Sequence, residues 1–481
     1  MKFLINNRIY YSLVLFAIAA FSVGCQKDKL DPSPQTSLTF EEAFSTPARI
    51  KQQLFGVYSA IKNGQFLGGR GIVYNDVRGE DWVNVTNNGV TALGVWNFSV
   101  VSSDNQVENF WTTGYTAINR ANLVLEGIDA NANLLTPTLA NQYRGELRFL
   151  RAVSYFYLVN LYGRRPYNVD NGASPGLPLR LRANKGNLSD TTALPRSTVA
   201  QVYNQILADL NFAEQNLPAT YGTATDSNLV RAHVNSAIAF KTRVYLHMGR
   251  YNDVIAEANK IVSLAPPFVA TTGVQHRLEP NITTVFRNYT AAGNRETIFA
   301  LPMSQTNPPG TQNGLALYHN AEFALNTAGI LANPQFGAND ARRVQFVVPG
   351  SLIRYSKFND DNNNYVPIIR YAEVLLNLAE AIARTTTGVD PRALALLNAV
   401  QQRSNGTISA PATNADLINA ILTERRIEFL GEGIRSLDIM RLVQPFPAKG
   451  SVSQVPTTAL NYVWPIPASE LLYNPLMTPN Q

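Results

Sequence analysis

One cysteine, Cys25, is the whole thiol complement of this 481-residue chain, and it stands at the end of an export signal. Lys2 and Arg8 give a cationic start, the stretch from Ile9 to Phe21 is uncharged and mostly apolar, and Ser22-Val23-Gly24 leads into Cys25. A charged start, a short apolar core and small residues before a cleavage point are the parts of a secretory signal peptide. The apolar core is shorter than the ~20 residues that span a bilayer. An exported chain with one cysteine closes no internal disulfide, so its fold has to be held by packing.

Taking residues 1–24 as the signal leaves 457 residues, enough for two closely packed subdomains or one large helical domain. Apolar residues make up 45% and charged residues 15%, the balance of a globular body with too few charges for disorder. Removing Lys2 and Arg8 lowers the formal net charge from +6 to +4. The remaining lysines and arginines form no tract, so the basic balance does not support nucleic-acid binding, which needs a concentrated basic face. No later segment is long and apolar enough to span a membrane. The Gly24-Cys25 junction resembles the lipobox of bacterial lipoproteins, with Ser22 where that pattern prefers leucine. That resemblance implies that Cys25 becomes the lipidated first residue, each buried methylene contributing about 0.8 kcal/mol to membrane attachment. The alternative is an ordinary cleaved signal with a buried cysteine.

Residues 26–38, with two prolines and no periodicity, read as a tether. Helical signals then begin. Thr39 with Glu42 forms a capping box, and Thr46-Pro47 offers an N-cap with proline at the first helical position. Ile50, Leu54, Val57, Tyr58 and Ile61 keep helical spacing as far as Asn63-Gly64. Helices are predicted again at Phe110–Ile128, at Leu139–Tyr162 and from Thr198, boxed by Gln201, to Pro218. Two helical hairpins resemble degenerate tetratricopeptide repeats. One runs Ala232–Met248, breaks at Gly249 and returns over Asn252–Leu264; the other spans 366–403, with Ile368, Ala372, Leu375, Ala379 and Ile382 on one face and Pro391 opening its partner.

Two stretches interrupt this pattern. Residues 64–110 carry five glycines between Gly64 and Gly79 and lie beside three of the four tryptophans. Residues 265–365 are rich in Asn, Gly, Pro and Thr, with a strand predicted over Glu296–Pro302 and a weaker one over Leu315–Tyr318. Loops of this length in a compact protein are usually functional. The expected plan is a helical scaffold over about 39–63, 110–264 and 366–445, carrying loop-rich inserts at about 64–110 and 265–365.

Catalytic and metal chemistry finds little support. His233, His247, His276 and His319 have no metal-ligand spacing, and no cofactor fingerprint is present. Reading Asp360-Asp361-Asn362-Asn363-Asn364 as a calcium loop puts Tyr365 where glycine must turn and Tyr371 where a bidentate glutamate belongs, so it reads as a solvated turn. Glu424, Glu428, Glu432 and Asp438 alternate with Arg425, Arg426, Arg435 and Arg441, which reads as an ion-pair network. Neighbouring arginines lower carboxylate pKa values, the wrong direction for a general acid. Glu373 and Glu380, beside Asn377, read the same way. A glycosidase using Glu80 with Asp81, or a pair from the 424–438 cluster, is the enzymatic alternative.

The aromatics offer more. Flat exposed rings stack on the apolar faces of sugars while amides and carboxylates bond the hydroxyls. The predicted ligand-binding set is Asp81, Trp82, Asn84 and Trp96 in the first insert with Tyr289, Tyr318 and Tyr355 in the second. The competing assignment makes most of these rings anchors of a small core beneath the loops.

Segments across nearly the whole chain, in order, resemble the SusD/RagB family of nutrient-binding outer-membrane lipoproteins of Bacteroidetes. They include Thr39–Phe44, Gly56–Ser59, Trp111 with Ala117–Asn122, Glu146–Ala152 and Tyr155–Gly163. Asp340–Arg342, Lys357-Phe358, Pro367–Ala381, Leu397–Val400, Glu424–Phe429, Gly433–Asp438, Trp464–Pro467 and Asn474-Pro475 complete the set. The resemblance implies a mainly α fold, with tetratricopeptide-like hairpins forming one large domain over 39–481, loop-rich inserts and a few short strands. It implies a non-catalytic protein, without cofactor, anchored through Cys25 and facing the cell exterior. Such a protein captures oligosaccharide, or in some members peptide, and forms a lid on a SusC-like TonB-dependent transporter. The Gln26-Lys27-Asp28-Lys29 stretch is less acidic than the surface-export signal of many relatives, so outward display is implied by the family alone.

Overall fold

The structure is a computed structural model that describes residues 39–185, 193–222 and 225–480; Cys25, the signal and the tether lie outside them. The chain divides into a unit of residues 1–53 and a unit of residues 54–481. In the first, Thr39 and Glu42 cap the turn Phe40–Ala43 reciprocally, as expected. The Thr46 hydroxyl accepts the Arg49 N–H at the head of α1 (Pro47–Ile61).

After α1, the chain forms α2 (Arg70–Val77), β1 (Trp82–Asn84), α3 (Asn105–Ala130), α4 (Pro137–Tyr162), α5 (Val199–Asn216), α6 (Val234–His247) and α7 (Tyr251–Ala258). Five short strands follow: β2 (Thr297–Leu301), β3 (Phe323–Leu325), β4 (Phe346–Val347), β5 (Arg354–Tyr355) and β6 (Val366–Arg370). The last long helices are α8 (Tyr371–Thr385), α9 (Pro391–Arg403), α10 (Asn414–Glu428) and α11 (Arg435–Arg441). Helices pack largely on their chain neighbours: α3 on α4, α4 on α5, α5 on α6, α6 on α7, α7 on α8, and α8 on α9 and α10. The fold is mainly α. Its strands form only antiparallel pairs, β1 with β3, β2 with β6, and β4 with β5.

Local chemistry sets most of these boundaries. Thr136 caps α4 and Pro137 takes its first position, where a missing N–H costs nothing. From Phe149 to Tyr162 every residue of α4 is buried, which makes it the axis of the scaffold. Arg151 survives there because Asp209 of α5 meets its guanidinium with two bonds of 2.7 and 2.8 Å. Thr198 and Gln201 box the start of α5, and Gly249, at φ +66°, turns α6 into α7 in a conformation that only glycine adopts freely.

Four expectations need correction. The first insert is not irregular throughout: α2 lies within it, and α3 begins at Asn105. Its glycines mark close packing, since a Cβ on Gly68 or Gly69 would collide with the carbonyl oxygen of Lys62 or Asn313. Ile368 is not helical. It sits in β6, buried on both faces, and the strand runs into α8 at Tyr371 without a loop, so no break shows in the apolar pattern. Leu315–Tyr318 is a helical turn leading into a π turn at Tyr318–Glu322, and the strand lies just beyond it at β3. Finally, α7 stops at Ala258, because Val262 bridges to Ala270 and draws the chain out of the helix.

Buried ion pairs tie the second insert to the helices. Arg370, at the end of β6, donates to Glu296, to Glu428 at 3.0 Å and to Glu432 at 2.7 and 2.8 Å. Arg403 of α9 shares Glu296 and Glu428, while Arg342 joins Asp340, Glu424 and Glu428. A second knot places Arg425 and Arg441 on Asp438, with Arg441 also on Glu380. Burial would raise Glu428, Glu432, Asp438 and Glu380, but the surrounding cations outweigh it and hold all four below the usual carboxylate range. At Glu424 burial wins and the pKa rises, against the expectation that neighbouring arginines depress it, and Glu296, outside that cluster, rises for the same reason.

The Arg370→Met variant removes the cation shared by three buried carboxylates and leaves them only Arg403, Arg342 and Lys357, so it should lose about 3 kcal/mol of unfolding free energy in urea; a loss below about 1 kcal/mol would contradict this assignment. A second outcome concerns pH. Burial lowers His233 to about 4 and His276 and His319 to about 3. These rings are neutral when folded and take up protons near pH 6.5 when unfolded. Their contribution is therefore complete above pH ~6.5 and is lost as pH falls toward ~4, by at most about 1.4 kcal/mol per ring per pH unit. The urea midpoint should be clearly lower at pH 5 than at pH 7.5; equal midpoints would refute the assignment.

Candidate functional site

The β1–β3 pair sets Trp82 opposite Leu325 and Asn84 opposite Phe323. Trp82 is 1% exposed, and its ring stacks on His319 at 4.7 Å, with Tyr355 at 6.2 Å. The Trp96 indole donates to the Trp82 carbonyl at 2.8 Å. Tyr318 is fully buried and donates to the Gln312 carbonyl, while Tyr355 is buried against Phe346. Asp81 accepts the Arg426 guanidinium and the Ile330 N–H. The expectation of Trp82, Trp96, Tyr318 and Tyr355 as open stacking rings, with Asp81 bonding hydroxyls, is therefore corrected. The structure brings them together as a small core under the loops. Strands of two to five residues leave the inserts few other apolar anchors, and large rings stabilise most when covered. Asn84 is half-buried, with its Oδ1 accepting the Asn87 N–H at 2.8 Å.

Tyr289 has a different setting. It stacks on Tyr365 with ring centroids 4.2 Å apart and planes 13° from parallel, and both rings are half-buried. The Tyr289 hydroxyl donates to the Phe286 carbonyl at 2.6 Å and accepts from Asn364 Nδ2 at 2.9 Å. Asn364 Oδ1 takes the N–H groups of Asn359 and Asp360, each at 2.7 Å, which fixes the Asn-rich turn before Tyr365. Burial, the largest influence, raises the pKa of both tyrosines, so they stay neutral hydrogen-bonding rings near neutral pH. Exposed Asn362 and Asn363 and half-buried Asn288 border this shelf.

The loop that carries Tyr289 continues into the wall of a cavity of about 170 Å³, lined by Thr220, Asn228, His276, Ala291, Asn294 and Arg295 among others. Asp226 accepts the Ala291 N–H at 2.8 Å and links the two features, since its charge also acts on Tyr365. His276 Nε2 is buried without a partner. Sequence reasoning named Tyr289 but missed Tyr365, Asn228, Asn294 and Arg295. For Tyr365 the available signal is the Asn-rich turn just before it, which in sequence reads as a solvated turn.

The carboxylates suited to hydrolysis are engaged elsewhere. Arg435 and Arg426 outweigh burial at Glu80 and hold it low, and Asp81 is paired with Arg426. Glu373 is bound by Arg243 at 2.6 and 2.7 Å. Asp361, in the stretch compared with a calcium loop, accepts the backbone N–H groups of Ala316 and Leu317. Among the described residues no group of three or more potential metal ligands converges, and no helix is long and apolar enough to cross a membrane.

Set beside known proteins, residues 28–246 match a SusD-like family described as "Starch-binding associating with outer membrane", and residues 345–481 match the SusD family. A SusD superfamily protein from Bacteroides fragilis superposes with a TM-score of 0.80 at 33% identity, covering 90% of this chain and 99% of that one. The SusD-like protein P2 of Formosa agariphila is 25% identical over 98% of this chain and 99% of its own length. A structure named as a laminarin binding SusD-like protein shares the fold at a TM-score of 0.69 and 22% identity, covering 90% and 99% of the two chains. The chain belongs to the SusD/RagB family.

The Trp82→Ala variant should lose roughly 3–5 kcal/mol of stability, the cost of a large cavity, measured by urea denaturation. A variant as stable as the parent would show that this ring is not a core anchor.

Proposed function

We propose that this chain is a non-catalytic outer-membrane lipoprotein that captures oligosaccharides and passes them to a SusC-like TonB-dependent transporter. Membership of the SusD/RagB family carries this reading. In it, Cys25 holds the acyl chains, the tether over 26–38 gives reach, and the body faces the cell exterior. The ligand lies on the Tyr289–Tyr365 shelf and extends toward the cavity at Asn228 and Asn294. Stacking supplies apolar contact to one sugar face. The guanidinium of half-buried Arg295 and the exposed amide of Asn362 meet hydroxyl groups, the usual division of labour in a site of few polar groups on an apolar floor. The arginine-bound carboxylates support a binding role over hydrolysis, since a general acid needs a raised pKa and an open path to its substrate.

Calorimetry of the folded body against starch oligosaccharides, laminarin oligosaccharides and peptides tests this. At least one glycan should bind, and Tyr365→Ala should weaken it about tenfold, or about 1.4 kcal/mol. A glycan that binds equally to parent and Tyr365→Ala would refute the shelf. Peptide binding without any glycan binding would move the protein to the peptide-binding branch of the family.

A further inference from the structure

A second cleft, of about 180 Å³, opens where the turn after α4 meets the C-terminal segment. Its walls include Arg164, Arg165, Val169, Leu460, Tyr462 and Asn480. That is far more than the ~10–15 Å³ needed to hold one water. Three observations converge on it. First, Arg164 and Arg165 are both exposed, and neither has an acidic partner among the described residues. Elsewhere the arginines of this chain are mostly tied to carboxylates, so two free guanidinium groups side by side stand out.

Second, Arg196 lies close enough for its charge to act on Arg164. It spends its donors on the carbonyls of Tyr162, Pro175, Gly176 and Thr478 and on no carboxylate. Two cations therefore line the cleft, a third acts on Arg164, and no acid is among the lining residues, which makes a positive potential that favours an anion. Third, Asn480 donates through Nδ2 to the carbonyls of Tyr162 and Trp464 at 3.0 and 2.7 Å, while its Oδ1 is buried with no donor. An unpaired buried acceptor calls for a hydroxyl or amide donor. Val169 and Leu460, both partly exposed, add an apolar edge.

We propose that this cleft binds an acidic sugar, its carboxylate or sulfate held by Arg164 and Arg165 and one of its hydroxyls donated to Asn480 Oδ1. Planar guanidinium groups suit both anions through paired N–H···O bonds. The anion explains the uncompensated cations, the hydroxyl explains the orphan acceptor, and a pyranose ring carries both on one small scaffold. The choice of a sugar rests on the oligosaccharide-binding reading, but the site is separate from the Tyr289–Tyr365 shelf.

The test is calorimetry of the full folded body with an oligogalacturonide, a chondroitin sulfate oligosaccharide and a neutral glycan that the parent binds. At least one acidic ligand should bind, weakening as salt is raised. The Arg164→Ala/Arg165→Ala variant should bind it at least tenfold more weakly, with the neutral glycan unaffected. Both side chains are exposed, so the variant should keep the parent's melting temperature; Arg165→Glu is a second variant with the same expected loss. Binding of neutral glycans alone would overturn this inference and leave the proposed function standing. Acidic-ligand binding that both variants retain would place that ligand elsewhere and also overturn it.

Discussion

Arg370 is the residue on which the architecture turns. It closes β6, opens directly into α8, and sends its guanidinium into a pocket made by Glu296, Glu428 and Glu432. Glu296 precedes β2, so the knot joins both strands of the buried β2–β6 pair to the end of α10. With a single cysteine the chain closes no internal disulfide and still needs long-range ties. Here buried ion pairs take that place, joining residues as far apart in sequence as Glu80 and Arg435 or Asp81 and Arg426. Such pairs add little over well-packed apolar residues, yet breaking one leaves a bare charge in the interior, so they punish wrong packings more than they reward the right one.

That arrangement explains how long inserts coexist with a defined surface. Loops lacking helical hydrogen bonds must satisfy their backbone in other ways. The second insert does so through Asn and Asp side chains: Asn364 holds the turn at Asn359–Asp360, Asn294 caps the carbonyls of Val285 and Asn288, and Asp361 takes two backbone N–H groups. The buried Trp82 cluster supplies the apolar floor of the same region. With the backbone fixed, Tyr289 and Tyr365 are held in a stacked geometry, which in the proposed binding role would limit the entropy lost on binding.

The parts that were legible in the sequence are those whose signal is local. Capping boxes at Thr39 and Thr198, the glycine break at Gly249 and proline at Pro391 each act within a few residues, and each marks an element boundary in the structure. The arginine–glutamate alternation around 424–438 was equally readable, because partners on neighbouring turns betray a network. What failed needed distant information. Trp82 is covered by His319, Tyr355 and Leu325, more than two hundred residues away, and nothing near Trp82 distinguishes an exposed ring from one sheltered by such partners. The strand β6 was absorbed into α8 because a segment buried on both faces shows no alternation. Tyr365 was missed because its stacking partner lies on a separate loop.

The central proposal is that oligosaccharide is held by the loop-borne tyrosine shelf and not by the buried tryptophan cluster. Hydrogen exchange measured with and without a bound glycan addresses it most directly. The account predicts new protection concentrated in residues 286–294 and 359–366, with residues 82–96 unchanged. Protection centred on residues 82–96, with the tyrosine loops unaffected, would contradict it.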